Sequence, residues 1–206
     1  MDKKVSEKKL LANAVKNIPR GKVFSSRDLK LSIESASLRQ NLKRLVDEGF
    51  IRRVRRGYFE RPLYSSFLQE NLGIDMQKMA ESIAKNNNWT IAPTGNTALN
   101  LLGLSTQIPA KWSFVSDGPY RKYEADGKIL EFRHRANRDI SGHSKKTNLV
   151  IQALKSLPEE EITDTIIQKI RQKLNEKERN SLLRESALIS RRILKTINKI
   201  CEGGNV

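Results

Sequence analysis

An arginine-rich segment with β-forming residues, at positions 50–59, constrains the fold of this chain more than any other stretch. Apolar residues that favour strands lie on both sides of Gly57, and this pattern predicts a β-hairpin that turns on the glycine. A hairpin this rich in arginine suits contact with a phosphate backbone or a narrow minor groove. The residues expected to make these contacts are Arg52, Arg53, Arg55, Arg56 and Tyr58.

Three helices are predicted in front of the hairpin. Apolar residues recur at helical spacing between positions 5 and 18, and Pro19 ends that helix because proline lacks the backbone donor. Ser25 and Asp28 form a weak variant of a capping box for a brief second helix, and Ser35 caps a third. This order of helices and hairpin predicts a winged helix-turn-helix over residues 1–63.

The third helix has one apolar stripe and one polar face, and Gly49 closes it. On the polar face, the side chains expected to contact base edges in a major groove are Gln40, Lys43 and Arg44, assisted by Ser37 and Arg39. Double-stranded DNA is therefore the predicted partner. The alternative is a solvated charged surface on an ordinary three-helix core.

The distribution of charge supports a polyanionic partner. The whole chain has a formal net charge of +16, and residues 1–63 carry 17 Lys and Arg against 7 Asp and Glu, a net of +10. A single cysteine, Cys201, excludes an intramolecular disulfide, and the sequence shows neither a signal-peptide core nor a membrane-spanning run. These features predict a cytoplasmic protein that does not enter a membrane.

Residues 64–206 are expected to form a second domain, so that the whole chain belongs to the α+β class. A linking helix begins near Met76, and three strands are predicted at 112–116, 120–123 and 128–133. Short turn sequences between these strands predict a small antiparallel sheet. Helical spacing of apolar residues from Lys145 onward predicts C-terminal helices that cover the sheet.

The middle of the chain resembles the abortive-infection antitoxins of the AbiEi type. The resemblance covers roughly residues 5–140, and its most specific part runs from Pro93 to Gly118. It rests on three segments, Pro93-Thr94-Gly95-Asn96-Thr97-Ala98-Leu99-Asn100-Leu101-Leu102-Gly103-Leu104, Gln107-Ile108-Pro109-Ala110 and Phe114-Val115-Ser116-Asp117-Gly118.

This resemblance implies the antitoxin of a type IV toxin-antitoxin system. Its winged helix would repress its own operon, and its C-terminal domain would counteract a nucleotidyltransferase toxin, generally without a stable complex between the two. Two alternatives stay open. One is a plain transcriptional regulator whose C-terminal domain binds a small effector or mediates dimerisation, and the other is a metal-dependent nuclease.

No catalytic, metal or cofactor site is predicted. The two histidines, His134 and His143, and one distant cysteine lack metal-ligand spacing. Asp117 and Glu131 superficially resemble the carboxylate pair of restriction-type nucleases. However, Arg133 stands where such nucleases have a lysine, and arginine is a poor substitute for it.

Two further stretches are candidates for anion contacts. A basic strip could extend the phosphate-binding surface, or it could be a solvated loop; its members are Arg133, His134, Arg135, Arg138, Lys145 and Lys146. The turn at residues 93–95 would offer free backbone N–H groups to an anion, with an ordinary structural turn as the alternative.

Overall fold

A computed structural model of the chain describes residues 3–136, 140–187 and 189–202. Arg138, one member of the predicted basic strip, lies outside these residues. The fold is mixed α+β and divides into two compact units. The first unit comprises residues 1–88 with 124–127, and the second comprises 89–123 with 128–206.

The first unit contains three α-helices and two small sheets among its described residues. Its helices are α1 (Lys3–Lys16), α2 (Ser35–Asp47) and α3 (Met76–Asn87), with a 3-10 helix at Ser26–Leu29. A three-stranded sheet has the order β1-β3-β2, formed by β1 (Val23–Ser25), β2 (Arg52–Arg55) and β3 (Tyr58–Glu60). The other sheet pairs β4 (Tyr64–Ser65) with β5 (Glu70–Asn71).

The elements predicted for residues 1–63 occur in the expected order. The brief second helix is the 3-10 helix, and the N–H of Ser25 donates to the Asp28 carboxylate at 2.8 Å as the sequence pattern indicates. A shared core joins α1, α2 and the three-stranded sheet, with these members fully buried: Leu11, Val15, Phe24, Leu29, Leu42, Leu45, Ile51 and Phe59.

The division between units falls after Asn88, whereas the predicted boundary falls after Leu63. The physical reason is α3, which packs on β1 and buries Met76, Met79 and Ile83. Polar contacts add to this packing, because Lys85 of α3 pairs with Asp28. The helix predicted as a link is therefore part of the first unit.

The second unit contains one sheet and five α-helices among its described residues. The strands are β6 (Ile91–Pro93), β7 (Lys111–Ser116), β8 (Arg121–Ala125) and β9 (Lys128–His134), of which the last two residues of β8 are grouped with the first unit. The helices are α4 (Asn96–Leu101), α5 (Lys145–Ser156), α6 (Asp164–Gln172), α7 (Glu176–Glu185) and α8 (Arg191–Glu202), with a 3-10 helix at Glu159–Glu161.

The sheet is mixed, so the predicted antiparallel sheet is wrong in its pairing. The strand order is β6-β7-β9-β8, with β6 antiparallel and β9 parallel to β7. Asp126 and Gly127 both have positive φ, 54° and 68°, as a tight two-residue turn between β8 and β9 requires. The segment after β7 makes no such turn, because Asp117 instead accepts a hydrogen bond from the N–H of Thr90 at 2.8 Å.

Helices cover the sheet only in part. Helix α5 packs on β6 and α4 packs on β7, whereas α6 and α7 pack on α8. The apolar side chains of α5–α8 therefore form a core of their own together with α4, in which Leu154, Ile170, Ile193 and Ile197 are among the most buried members.

An aromatic cluster on the sheet makes Gly118 sensitive to substitution. Trp89 packs edge-on against Phe132 with ring centroids 5.6 Å apart, and a Cβ atom at Gly118 would overlap the indole of Trp89. We expect Gly118→Ala to lower the free energy of unfolding of the second unit by about 1–3 kcal/mol. Urea titration followed by tryptophan fluorescence measures this, because Trp89 and Trp112 both belong to this unit.

The matched control combines Gly118→Ala with Trp89→Leu, which removes the overlapping ring. In that background the alanine should cost much less, and Trp112 still reports unfolding. The same cost in both backgrounds would contradict the overlap as the cause.

Candidate nucleic-acid interface

Helix α2 presents a polar face because its apolar stripe is buried in the first unit. Asn41, Leu42 and Leu45 are buried on one side. Gly49 has a φ of 69°, a left-handed conformation that glycine adopts without strain, and the helix ends there as predicted. Four of the five predicted helix contacts are exposed to solvent, namely Arg39, Gln40, Lys43 and Arg44.

Ser37 is the predicted helix contact that the structure places differently. Its hydroxyl donates to Glu7 of α1 at 2.5 Å and accepts a hydrogen bond from Asn41 at 3.3 Å. The half-buried Ser37 therefore ties α2 to α1. Its sequence position on the helix gave no signal of this bond, since the partner lies 30 residues away.

Strands β2 and β3 form the predicted hairpin, and Gly57 at the turn has a φ of 81°. Arg55 pairs with Tyr58 and Arg53 with Phe59, so β2 has one more residue here than β3. This extra residue is a β-bulge at Val54, whose side chain is buried.

The bulge brings Arg52 opposite Glu60 rather than towards solvent. The Nε of Arg52 donates to Glu60 Oε2 at 3.1 Å, and Nη2 contacts the same oxygen and also the carbonyl of Leu72 at 3.1 Å. Only 2% of Glu60 is exposed. Arg52 thus neutralises a buried carboxylate. The run of arginines in the sequence gave no sign that this one has a structural role.

The other three arginines lie along the outer part of the hairpin. The guanidinium of Arg53 lies 5.7 Å from the Phe59 ring centroid, and that of Arg55 lies 5.6 Å from the Tyr58 ring centroid. Such stacking holds a guanidinium in place while its charge is retained. Arg56, at the turn, is exposed.

A groove joins α2 to the hairpin within the first unit. Its volume is about 510 Å³, and among the described residues that line it, three from the two elements are cationic and none is acidic. We call it the helix–hairpin groove, and it is lined by Ser26, Ser35, Leu38, Arg39, Leu42, Arg53, Arg56, Gly57 and Phe59. Ser26 and Ser35 are polar members outside the predicted contact set. The structure thus brings Arg39 together with Arg53 and Arg56 at one surface.

The two carboxylates weighed for nuclease activity are not brought together. Asp117 follows β7 directly, whereas Glu131 is opposite Ser113 in the register, so about 13 Å of strand separates the two positions. His134 lies with Nδ1 3.0 Å from the carbonyl oxygen of Gly118. The described residues contain no group of three or more His, Cys, Asp or Glu that could hold a metal ion.

Glu131 is instead the centre of a cationic network in the second unit. Its Oε2 is 2.7 Å from Nε of Arg133 and 3.3 Å from Nζ of Lys111, and its Oε1 accepts from the Tyr120 hydroxyl at 3.0 Å. Burial opposes ionisation of this carboxyl, but hydrogen bonds from Arg133, Tyr120 and Lys111 outweigh it and lower its pKa to about 2. Glu131 is therefore an ionised structural anchor.

The residues offered for anion contact in the 93–95 turn are already bonded. The N–H of Thr94 donates to the carbonyl of Ser113 at 2.9 Å, and the N–H of Gly95 donates to Ser156 Oγ at 3.0 Å. Of the two interpretations of this turn, the ordinary structural turn is the one that these bonds support, because neighbouring elements satisfy both donors.

Among the helices that the structure describes, none has the length and apolar character needed to cross a lipid bilayer. The described residues define a mixed α+β protein of two units whose first unit carries a cationic groove between a helix and a hairpin.

The chain belongs to DUF6088, a family of unknown function whose profile matches residues 10–182. A crystal structure of the Rv2827c protein from Mycobacterium tuberculosis is similar, with a TM-score of 0.44 and 12% identity over 98% of this chain and 77% of that chain. The comparison with curated proteins gives no match.

Proposed function

We propose that the first unit is a winged helix-turn-helix that binds double-stranded DNA, and that the chain is a transcriptional autorepressor. In this proposal α2 is the recognition helix and the β2–β3 hairpin is the wing. Gln40, Lys43 and Arg44 contact base edges, while Arg53, Arg55 and Arg56 contact phosphates.

The helix–hairpin groove is the observation that carries this proposal. Arg39 on α2 and Arg53 and Arg56 on the hairpin border one cavity whose other described lining residues are uncharged. A duplex presents bases and backbone side by side, so a binding surface needs the two kinds of contact on adjacent elements. A merely solvated charge run has no need for this convergence.

Two of the DNA contacts predicted from the sequence have a different role in the structure. Arg52 compensates Glu60 inside the unit, and Ser37 bonds to Glu7. Both support the interface by holding the hairpin and α2 in position, and neither is a direct DNA contact in the proposal.

Binding to the duplex upstream of the gene and to a scrambled duplex tests the assignment. We expect Arg44→Ala to lose about 1–3 kcal/mol of discrimination between the two duplexes, since it removes a base contact. Arg56→Ala should weaken binding to both duplexes alike and reduce the salt slope by about 1, since it removes a phosphate contact. Fluorescence anisotropy at several salt concentrations measures both effects.

Lys22→Ala is the matched control, because this exposed lysine lines a different cavity of the same unit, beside Pro19 and Lys78. It should leave the affinity, the discrimination and the salt slope close to those of the parent chain. Equal losses on both duplexes for Arg44→Ala, or the same salt slope for Arg56→Ala and the parent, would contradict the assigned contacts.

The second part of the proposal is that this autorepressor is a type IV antitoxin without enzymatic activity of its own, which counteracts a nucleotidyltransferase toxin. The resemblance of residues 93–118 to AbiEi antitoxins supports it. Expression of the neighbouring gene with and without this chain tests it. We expect the neighbouring gene to arrest growth and this chain to relieve the arrest. Relief by the Arg56→Ala variant as well would separate antitoxin activity from repression. Arrest that this chain does not relieve would contradict antitoxin activity and leave a plain regulator.

A further inference from the structure

A second cavity, formed entirely by the second unit, has a different character from the helix–hairpin groove. It has a volume of about 360 Å³, at the lower end of the range for small-ligand sites. It lies where the ends of β7 and β9 meet the last turns of α5. Its lining residues are Thr94, Val115, Arg133, Arg135, Ile140, Gln152, Lys155 and Ser156.

Three of the described lining residues are cationic, namely Arg133, Arg135 and Lys155, and none of the described ones is acidic. Arg133 is paired with Glu131, but the exposed side chains of Arg135 and Lys155 make no hydrogen bond or ion pair with any described residue. Two cations are therefore held at one concave surface where no described residue provides a counter-charge. Such an arrangement costs free energy unless an anion occupies it.

Gln152 provides an independent observation. This side chain is largely buried, and its amide makes no hydrogen bond with the described part of the chain; the amide atoms are not sealed from solvent, so they are open to the cavity that Gln152 lines. An amide that opens to a cavity and has no partner in the described chain is available to a partner from outside the chain. The amide N–H₂ group can donate to the same oxygen atoms that the two cations attract.

The base of the cavity is apolar and closely packed. Val115 and Ile140 line it, and they form a buried cluster with Ala92. A rigid apolar base with a buried amide and surrounding cations is suited to an anion with several oxygen atoms.

We propose that this cavity binds the phosphate group of a small phosphorylated ligand, with Arg135 and Lys155 contributing charge and Gln152 a hydrogen bond. A small ligand fits better than a nucleic-acid backbone, because Gln152 is nearly inaccessible from the open surface.

Isothermal titration of the full chain with inorganic phosphate and with inorganic pyrophosphate, at constant ionic strength set with chloride, tests this proposal. We expect saturable one-to-one binding of at least one probe. Lys155→Gln should weaken it about tenfold, as the loss of one charge-assisted hydrogen bond does. Lys195→Gln, which removes an exposed lysine of α8 outside this cavity, should leave it unchanged.

Gln152→Leu separates binding from a structural role. Without phosphate, the leucine should leave the thermal midpoint close to that of the parent or raise it, because the substitution removes no hydrogen bond with the described part of the chain. The same variant should weaken phosphate binding about tenfold. A lower midpoint with unchanged binding would overturn the role of Gln152.

Absence of binding by both probes at millimolar concentration would overturn the proposal, as would equal weakening by Lys155→Gln and Lys195→Gln. If neither probe bound and Lys155→Gln weakened duplex DNA binding, the cavity would be a contact for a nucleic-acid backbone instead of a site for a small phosphorylated ligand. Because the titrations contain no DNA, their outcome is independent of the proposed DNA binding.

Discussion

Replacement of Arg52 by alanine is expected to lower the free energy of unfolding of the first unit by about 3–5 kcal/mol. The substitution leaves the Glu60 carboxylate buried without its cation and removes the donor to the Leu72 carbonyl. An uncompensated buried charge costs far more than an exposed ion pair contributes. Native-state hydrogen exchange at the backbone amides of β2 and β3 measures the loss.

Two further variants define the cause of this loss. Arg56→Ala removes an exposed arginine of the same hairpin and should change stability by less than about 0.5 kcal/mol. The double replacement of Arg52 and Glu60 by leucine should restore most of the lost stability, because no charge is then left buried. Equal small losses for Arg52→Ala and Arg56→Ala would show that Glu60 does not depend on Arg52. Because Arg52 is not a direct DNA contact in the proposal, we would attribute weaker DNA binding by Arg52→Ala to a less stable hairpin.

The second unit is expected to lose about 3 kcal/mol of stability through Glu131 as the pH falls from about 5 to about 2. The pKa of Glu131 is lowered to about 2 in the folded chain from an ordinary 4.5. A carboxyl with a lowered pKa stabilises the folded state above its unfolded pKa. That contribution disappears as the pH falls through the folded pKa. Urea unfolding followed by tryptophan fluorescence across this range measures it.

Glu131→Gln is the comparison variant, because it keeps the shape of the side chain but does not ionise. The difference in free energy of unfolding between the parent and this variant should be constant near neutral pH and should shrink below about pH 4.5. Other carboxyls titrate equally in both chains and cancel. A difference that stays constant down to about pH 2 would contradict the proposed network around Glu131.

Local patterns allowed most elements of the first unit to be predicted. The glycine in the hairpin, the leucine stripe of α2 and the Ser25–Asp28 pair each depend on neighbours a few residues away, and each has the expected structure. The division between units was not predictable in this way. It depends on α3 packing on β1, which is a contact between distant segments.

Pairing between distant segments also explains the errors in the second unit. The tight turn at Asp126–Gly127 is local and was predicted, but the parallel pairing of β7 with β9 requires that β9 lies between β7 and β8. No spacing in the sequence indicates this order. The cavity around Gln152 combines residues from four separate segments, so only the basic character of Arg133 and Arg135 was visible in advance.

The bulge at Val54 has a consequence for how this hairpin can vary. If β2 paired with β3 without a bulge from the Arg55–Tyr58 pair onward, Val54 would lie opposite Phe59, and Arg53 instead of Arg52 would lie opposite Glu60. Deleting Val54 would instead close the bulge and leave Arg53 opposite Phe59 and Arg52 opposite Glu60, so the same arginine would stay inside. The extra residue thus adds one buried apolar side chain, Val54, beneath the hairpin without changing which arginine faces the interior.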